Sequence, residues 1–243
     1  MLGKLRERYQ KVMMPVGRTL AKTGITPNMI TGLTVLVAMI STYFFFMGEL
    51  LIGLAVMIFT VVMDMFDGAV ARAANLASPF GATFDHTLDR YAEFLFMLGL
   101  MLGPIGAVSI PWWPFTLGDK FVHWFWGFFT LFGMIMASFS RAKAESVGGM
   151  DNCAVGIAER QEKLILTIAG ILLLALPANN IWMDFLGFLP LVIRDFFVTL
   201  QITNILTFFI MIVGVLSHIT VGQRLAYANR IIGAEKQDES PSV

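Results

Sequence analysis

Twenty consecutive residues, Asn28 to Met47, carry no charge. The hydrocarbon core of a bilayer is about 30 Å thick and takes about 20 apolar helical residues to cross. This run alone places the chain among integral membrane proteins. Apolar stretches recur at 50–63, 84–103, 121–140, 164–176 and 199–222. Lipid leaves no backbone polar group solvated, so each stretch is expected to be a helix. The predicted fold is an all-α membrane protein with six transmembrane helices. Thr26-Pro27 reads as a helix start, with Pro near the first helical position. Gly187 and Pro190 interrupt a further apolar stretch, 179–195, which is read as an interfacial or re-entrant piece.

Composition narrows the partners. Charged residues make up 14% of the chain and apolar residues 57%, against roughly 25% charged in a soluble domain. Lys plus Arg (17) equals Asp plus Glu (17), which excludes a strongly basic nucleic-acid binder. The single cysteine, Cys153, excludes an internal disulfide framework. In residues 1–24, Lys4, Arg6, Arg8, Lys11, Arg18 and Lys22 alternate with apolar residues. This predicts an amphipathic helix lying on the membrane rather than a signal peptide. The six-helix domain is expected over 25–230 and a polar tail over 231–243. With six spans the two termini share a side. That side collects fifteen of the seventeen basic residues, leaving Lys120 and Arg194 opposite. The positive-inside rule puts the termini in the cytoplasm.

Charges within membrane helices are costly and mark function. Four carboxylates fall close together: Asp64 and Asp67 at i, i+3, and Asp85 and Asp89 at i, i+4. Each pair shares a helix face, with Cβ atoms about 5–6 Å apart. A helical hairpin brings the pairs to one interface. Helix capping or pairing with Arg72 and Arg90 would account for one such acid but not for four. Four hard oxygen ligands suit Mg²⁺, with Mn²⁺ or Ca²⁺ as alternatives. They suffice for two divalent ions about 3.5–4 Å apart, an arrangement used in phosphoryl chemistry. A divalent-cation transporter is the competing class. It would be expected to carry its acids near the midplane and on repeated halves, and the chain has no internal repeat.

The order Asp64-x-x-Asp67-Gly68-x-x-Ala71-Arg72, eight residues, then Gly81-x-x-x-Asp85-x-x-x-Asp89 resembles the signature of the CDP-alcohol phosphotransferases at each of its fixed positions. The segment Thr26-Pro27-Asn28-x-Ile30-Thr31 is similar to the family's opening. The resemblance implies an enzyme that transfers a phosphatidyl or archaetidyl group from a CDP-linked lipid to an alcohol and releases CMP. It implies that Asp64, Asp67, Asp85 and Asp89 bind two metal ions, and that Asp89 is also the catalytic base. It further implies a CDP-lipid site lined by Asn28, Thr31, Gly68, Ala71, Arg72, Ser78 and Gly81. A homodimer in the plasma membrane is expected, with its active site facing the cytoplasm.

Arg141 and Lys143 in SRAKAE, Arg160 in GIAERQEKL and Arg224 in ITVGQRL fall at three helix ends on the expected cytoplasmic side. Arg and Lys are the natural donors to phosphate. These four residues are read as the site for the phosphate of a phosphorylated polar alcohol. The pattern is similar to that of the inositol-phosphate branch of the family, so the expected acceptor is inositol phosphate. Glycerol 3-phosphate is the alternative.

Overall fold

The computed structural model describes residues 15, 17–19, 22–105, 120–176 and 178–238. Eight helices and no strand are found among the described residues: α1 (Pro27–Phe46), α2 (Leu50–Ala73), α3 (Pro79–Leu102), α4 (Trp124–Ser146), α5 (Arg160–Ala175), α6 (Ala178–Phe188), α7 (Leu191–Thr199) and α8 (Ile205–Asp238). The chain divides into two compact units, Met1–Asp119 and Lys120–Val243. Most of the amino-terminal basic segment, together with Trp112 and Trp113, lies outside the described residues.

In the first unit α1 packs against both α2 and α3. Thr26 caps α1 by accepting from the Met29 N–H, and Pro27 takes the first turn. The fully buried Phe45 ring fills the place where a side chain at Gly53 would stand: a Cβ there would lie 2.4 Å from the ring. The Ser41 hydroxyl donates to the Gly53 carbonyl at 2.7 Å on the same contact. Lipid supplies no hydrophobic drive for helix association, so close approach over a small residue and an interhelical hydrogen bond hold the pair. Helix α2 ends with Asn75 in the left-handed region (φ 55°), and the Leu76 N–H returns to the Ala71 carbonyl at 2.9 Å. This is a Schellman stop. Ser78 then caps α3, with Pro79 following. Helix α3 therefore starts five residues before the predicted Phe84, and Asp85 and Asp89 lie in its second and third turns.

In the second unit α8 packs against α4 and α5. The Thr130 hydroxyl donates to the Ile210 carbonyl at 2.7 Å, and His218 Nε2 lies 3.1 Å from the Phe129 carbonyl. The stretch 179–195 is not one piece but the two helices α6 and α7, parted at Pro190. At 11 and 9 residues neither has the length to cross a bilayer. The buried Trp182 of α6 sets its ring 5.1 Å from that of Phe208 on α8. The carboxyl-terminal helix runs on to Asp238, where a tail from residue 231 was predicted. Ala, Glu, Lys and Gln in that stretch are good helix formers, and polarity alone does not end a helix.

Among the described residues, three helices are long and apolar enough to cross a membrane: Pro27–Phe46, Leu50–Ala73 and Ile205–Gly233. Helix α3 has the length but carries Asp85, Asp89 and Arg90 in its first half and Glu93 at the start of its second. Helix α5 has 16 residues, about 24 Å of rise, somewhat less than the hydrocarbon thickness.

Candidate active site

The stop at Asn75 and the cap at Ser78 turn the chain back so that the carboxyl end of α2 faces the first turns of α3. Carboxylate oxygens of Asp64, Asp67 and Asp85 then lie within 4.8 Å of one another. Asp85, His86 and Asp89 offer a second such group. Asp85 belongs to both. Asp67 and Asp89 are buried; Asp64 and Asp85 are half-buried. The Thr31 hydroxyl of α1 donates to Asp67 Oδ2 at 2.8 Å, and the Gly68 N–H donates to Asp67 Oδ1. The two bonds hold one carboxylate oxygen each.

Carboxylates so close repel. At an effective dielectric of about 20, two unit charges 4.8 Å apart cost roughly 3–4 kcal/mol. A cation shared among their oxygens reverses that term. The donors are all hard oxygens apart from one imidazole, and the His86 side chain is 81% exposed with Nδ1 3.9 Å from Asp85 Oδ2. Such a set fits a hard divalent cation and not a thiolate-seeking one.

Because Thr31 orients Asp67, Thr31→Val is expected to weaken divalent-metal binding by about tenfold, the scale of one hydrogen bond to a charged group. A Mn²⁺ titration of the purified variant checks this; unchanged affinity would leave Thr31 without a part in the centre.

The other residues assigned to the CDP-lipid meet around the same turn. A Cβ at Gly81 would lie 3.1 Å from Ser78 Oγ and 3.5 Å from Asn28 Oδ1. The cap of α3 and the first turn of α1 thus adjoin. Both helices present the positive end of their dipole there. Arg72 folds its guanidinium over Gly68, where a Cβ would meet Nη1 at 3.2 Å. The Ala71 carbonyl is spent on the Schellman bond.

The predicted acceptor residues all fall in the second unit. Arg224 is buried, with Nε donating to the Val155 carbonyl at 2.9 Å and Nη1 to that of Ala137. Arg141 Nε donates to Glu145 Oε1 at 2.9 Å, and the same oxygen receives the Cys153 N–H. The segment around Cys153 thereby joins the end of α4 to α8. Lys143, two residues from Arg141, sets Nζ 5.8 Å from the centre of the Phe139 ring. Arg160 opens α5 beside a capping box made by Glu159 and Glu162. Sequence reasoning counted Lys163 only toward the positive-inside bias, yet it is buried. Its i+3 spacing from Arg160 was the available signal. Arg90 was weighed only as a pairing partner of the aspartates and toward the charge bias, and Glu93 not at all. They form an ion pair with Nη1 and Oε2 2.6 Å apart.

The model of the CDP-alcohol phosphatidyltransferase family matches residues 24–219. The archaetidylinositol phosphate synthase of Pyrococcus horikoshii is 33% identical over 166 residues, 68% of this chain and 79% of that one. The phosphatidylinositol phosphate synthase of Mycobacterium tuberculosis is 32% identical over 171 residues, 68% of this chain and 71% of that one. Crystal structures of the Mycobacterium tuberculosis synthase superpose with a TM-score of 0.65 at 26% identity. The one with CDP-DAG bound covers 90% of this chain and 94% of the other. The one in complex with manganese and citrate covers 89% and 88%. The chain belongs to the CDP-alcohol phosphatidyltransferase family, and is an integral membrane transferase.

Proposed function

We propose that this protein transfers a phosphatidyl or archaetidyl group from a CDP-linked lipid to inositol phosphate, releasing CMP. The observation that carries the reading is the sharing of Asp85 between two acidic groups, Asp64–Asp67–Asp85 and Asp85–His86–Asp89. Asp64, Asp67, Asp85 and Asp89 would hold two Mg²⁺ ions, with Mn²⁺ able to replace them. Such ions, when bound, offset the pyrophosphate charge and stabilise CMP as a leaving group. Asn28, Thr31, Gly68, Ala71, Arg72, Ser78 and Gly81 would receive the CDP-lipid. The positive ends of α1 and α3 favour its phosphates, and the small residues admit its bulk. The hydroxyl oxygen of the acceptor attacks the lipid-side phosphorus in line. One P–O bond forms, the P–O bond to CMP breaks, and Asp89 takes the hydroxyl proton. No covalent enzyme intermediate is needed. Arg141, Lys143, Arg160 and Arg224 would bind the acceptor's phosphate.

The same reading includes a domain over 25–230 that crosses the plasma membrane six times, with both termini and the active site on the cytoplasmic side, and a homodimer.

The test is CMP release by the purified protein with a CDP-linked lipid, Mg²⁺ and a panel of inositol phosphate, inositol, glycerol 3-phosphate and serine. Release with inositol phosphate alone is expected. Release with glycerol 3-phosphate alone would move the acceptor to that compound, and release with none would reject the reaction. In the same assay Arg160→Ala should raise the acceptor KM about tenfold or more and leave the KM for the CDP-lipid near its original value. The opposite split would remove Arg160 from the acceptor site.

A further inference from the structure

The end of α4 is tied to α8 by the non-helical segment 150–158, and the tie is made at Glu145, which the chemistry above does not use. Oε1 of Glu145 accepts two donors at 2.9 Å each: Arg141 Nε, one turn back on α4, and the Cys153 N–H. The Cys153 side chain is fully buried and packs with Ala144, Met150 and Ala228. Two residues on, the Val155 carbonyl accepts from Arg224 Nε at 2.9 Å, while Arg224 Nη1 donates to the Ala137 carbonyl of α4. The Ile157 N–H donates to Gln223 Oε1 at 2.9 Å. At Gly156, with φ 145°, an added Cβ would run into the Thr220 side chain, so the segment lies directly on α8. It ends at Glu159, the cap of α5, next to Arg160.

Helix stability does not call for a carboxylate at this place. Glu145 stands in the last turn of α4, where a negative charge opposes the helix dipole. Arg before Glu at i, i+4 is the weaker order for such a pair. The two side chains are 44% and 31% exposed, and pairs so open to solvent contribute little. Burial pushes the Glu145 carboxyl up, but the Cys153 N–H and Arg141 outweigh it and hold it below the usual carboxylate range. The group is therefore charged at neutral pH. Its effect is geometric. An arginine bound at Nε spends one of its five N–H donors, and the terminal nitrogens carry the other four, the fork that fits a phosphate. Holding the guanidinium in place lowers the ordering cost that phosphate binding would otherwise carry. The Cys153 bond acts on a second cation, because it seats the segment whose Val155 carbonyl holds Arg224.

We propose that Glu145 is a positioning residue for the acceptor's phosphate: one carboxylate oxygen sets Arg141 by direct contact and Arg224 through the segment Cys153–Val155. This rests on the reading of Arg141 and Arg224 as acceptor-phosphate cations, and the experiment separates the two.

The KM for inositol phosphate, the KM for the CDP-lipid and kcat are measured by CMP release on the purified full-length protein in lipid nanodiscs with Mg²⁺. Glu145→Gln keeps an oxygen that can accept from the Cys153 N–H and loses the charge that holds Arg141. It should raise the KM for inositol phosphate about fivefold, the scale of one net hydrogen bond, with the CDP-lipid KM and kcat near their original values. Glu145→Ala loses both bonds and should raise the acceptor KM about thirtyfold, the scale of two. In an Arg141→Ala background, Glu145→Gln should add nothing, because the contact it weakens is already gone. Glu145→Ala should still add about fivefold there, through Arg224. An unchanged acceptor KM in Glu145→Gln would overturn the proposal. So would its full effect in the Arg141→Ala background, or an equal rise in both KM values, the mark of a general strut. If Glu145→Ala does not fold, Glu145→Gln alone and with Arg141→Ala still decides. An acceptor KM unmoved by Arg141→Ala would instead remove Arg141 from the acceptor site, and no CMP release with inositol phosphate would reject that acceptor. Either result overturns the underlying reading and this proposal with it.

Discussion

Asp89→Asn is expected to lower CMP release by about a thousandfold, within the range spanned by loss of a general base, while the CDP-lipid binds within a few-fold of its original affinity. Asn keeps the shape and one acceptor oxygen of Asp, so the buried position stays filled without a cavity. What it loses is the negative charge and the ability to take a proton at neutral pH. The acceptor hydroxyl is then left, in the group formed by Asp85, His86 and Asp89, with Asp85, which is shared with the other two carboxylates, and with the exposed imidazole of His86. Single-turnover CMP release and competition by CDP measure the two quantities separately. The defect should persist at high Mn²⁺. Rescue by metal would reduce Asp89 to a ligand, and near-normal turnover would remove it from the reaction.

Metal removal is the second large effect. Excess chelator should bring CMP release to background, and Mg²⁺ or Mn²⁺ should restore it. A binding readout accompanies the loss. A cation that binds the folded protein alone stabilises it, and here it also relieves repulsion among carboxylates 4.8 Å or less apart. The melting temperature should therefore fall in chelator and rise again with added Mg²⁺, saturating over the same concentrations as activity. Turnover in chelator would sink the two-metal mechanism. A melting temperature blind to the metal would show that the carboxylates hold no cation in the resting protein.

Much of the site was legible because its chemistry is written in short spacings. Pairs at i, i+3 and i, i+4 must share a helix face, so the two halves of the acidic cluster followed from α-helical geometry alone. The bond from Thr31 to Asp67 was not legible in this way. The two residues are 36 apart in sequence, and their meeting depends on the register of α1 against α2, which Gly53 and Phe45 set by contact. The start of α3 was missed because Ser78 was assigned to the nucleotide and not weighed as a cap, although Ser followed by Pro is itself a helix-start signal. Arg90 and Glu93 were legible in principle at i, i+3. Arg90 was absorbed into the search for pairing partners and the charge bias, Glu93 was not weighed, and burial singles the pair out. In the carboxyl-terminal stretch, composition was read as a tail where helix propensity continued the element to Asp238.

On the proposed assignment of residues, the division of the chain at residue 119 separates two kinds of chemistry along the gene. Every carboxylate assigned to the metal ions and every residue assigned to the CDP-lipid precedes that boundary; every cation assigned to the acceptor follows it. A lineage can therefore exchange one polar headgroup for another by altering its second half alone, with the bond-breaking apparatus inherited untouched. A chimera that joins this first half to the second half of a relative with another acceptor should keep the donor and adopt the relative's product.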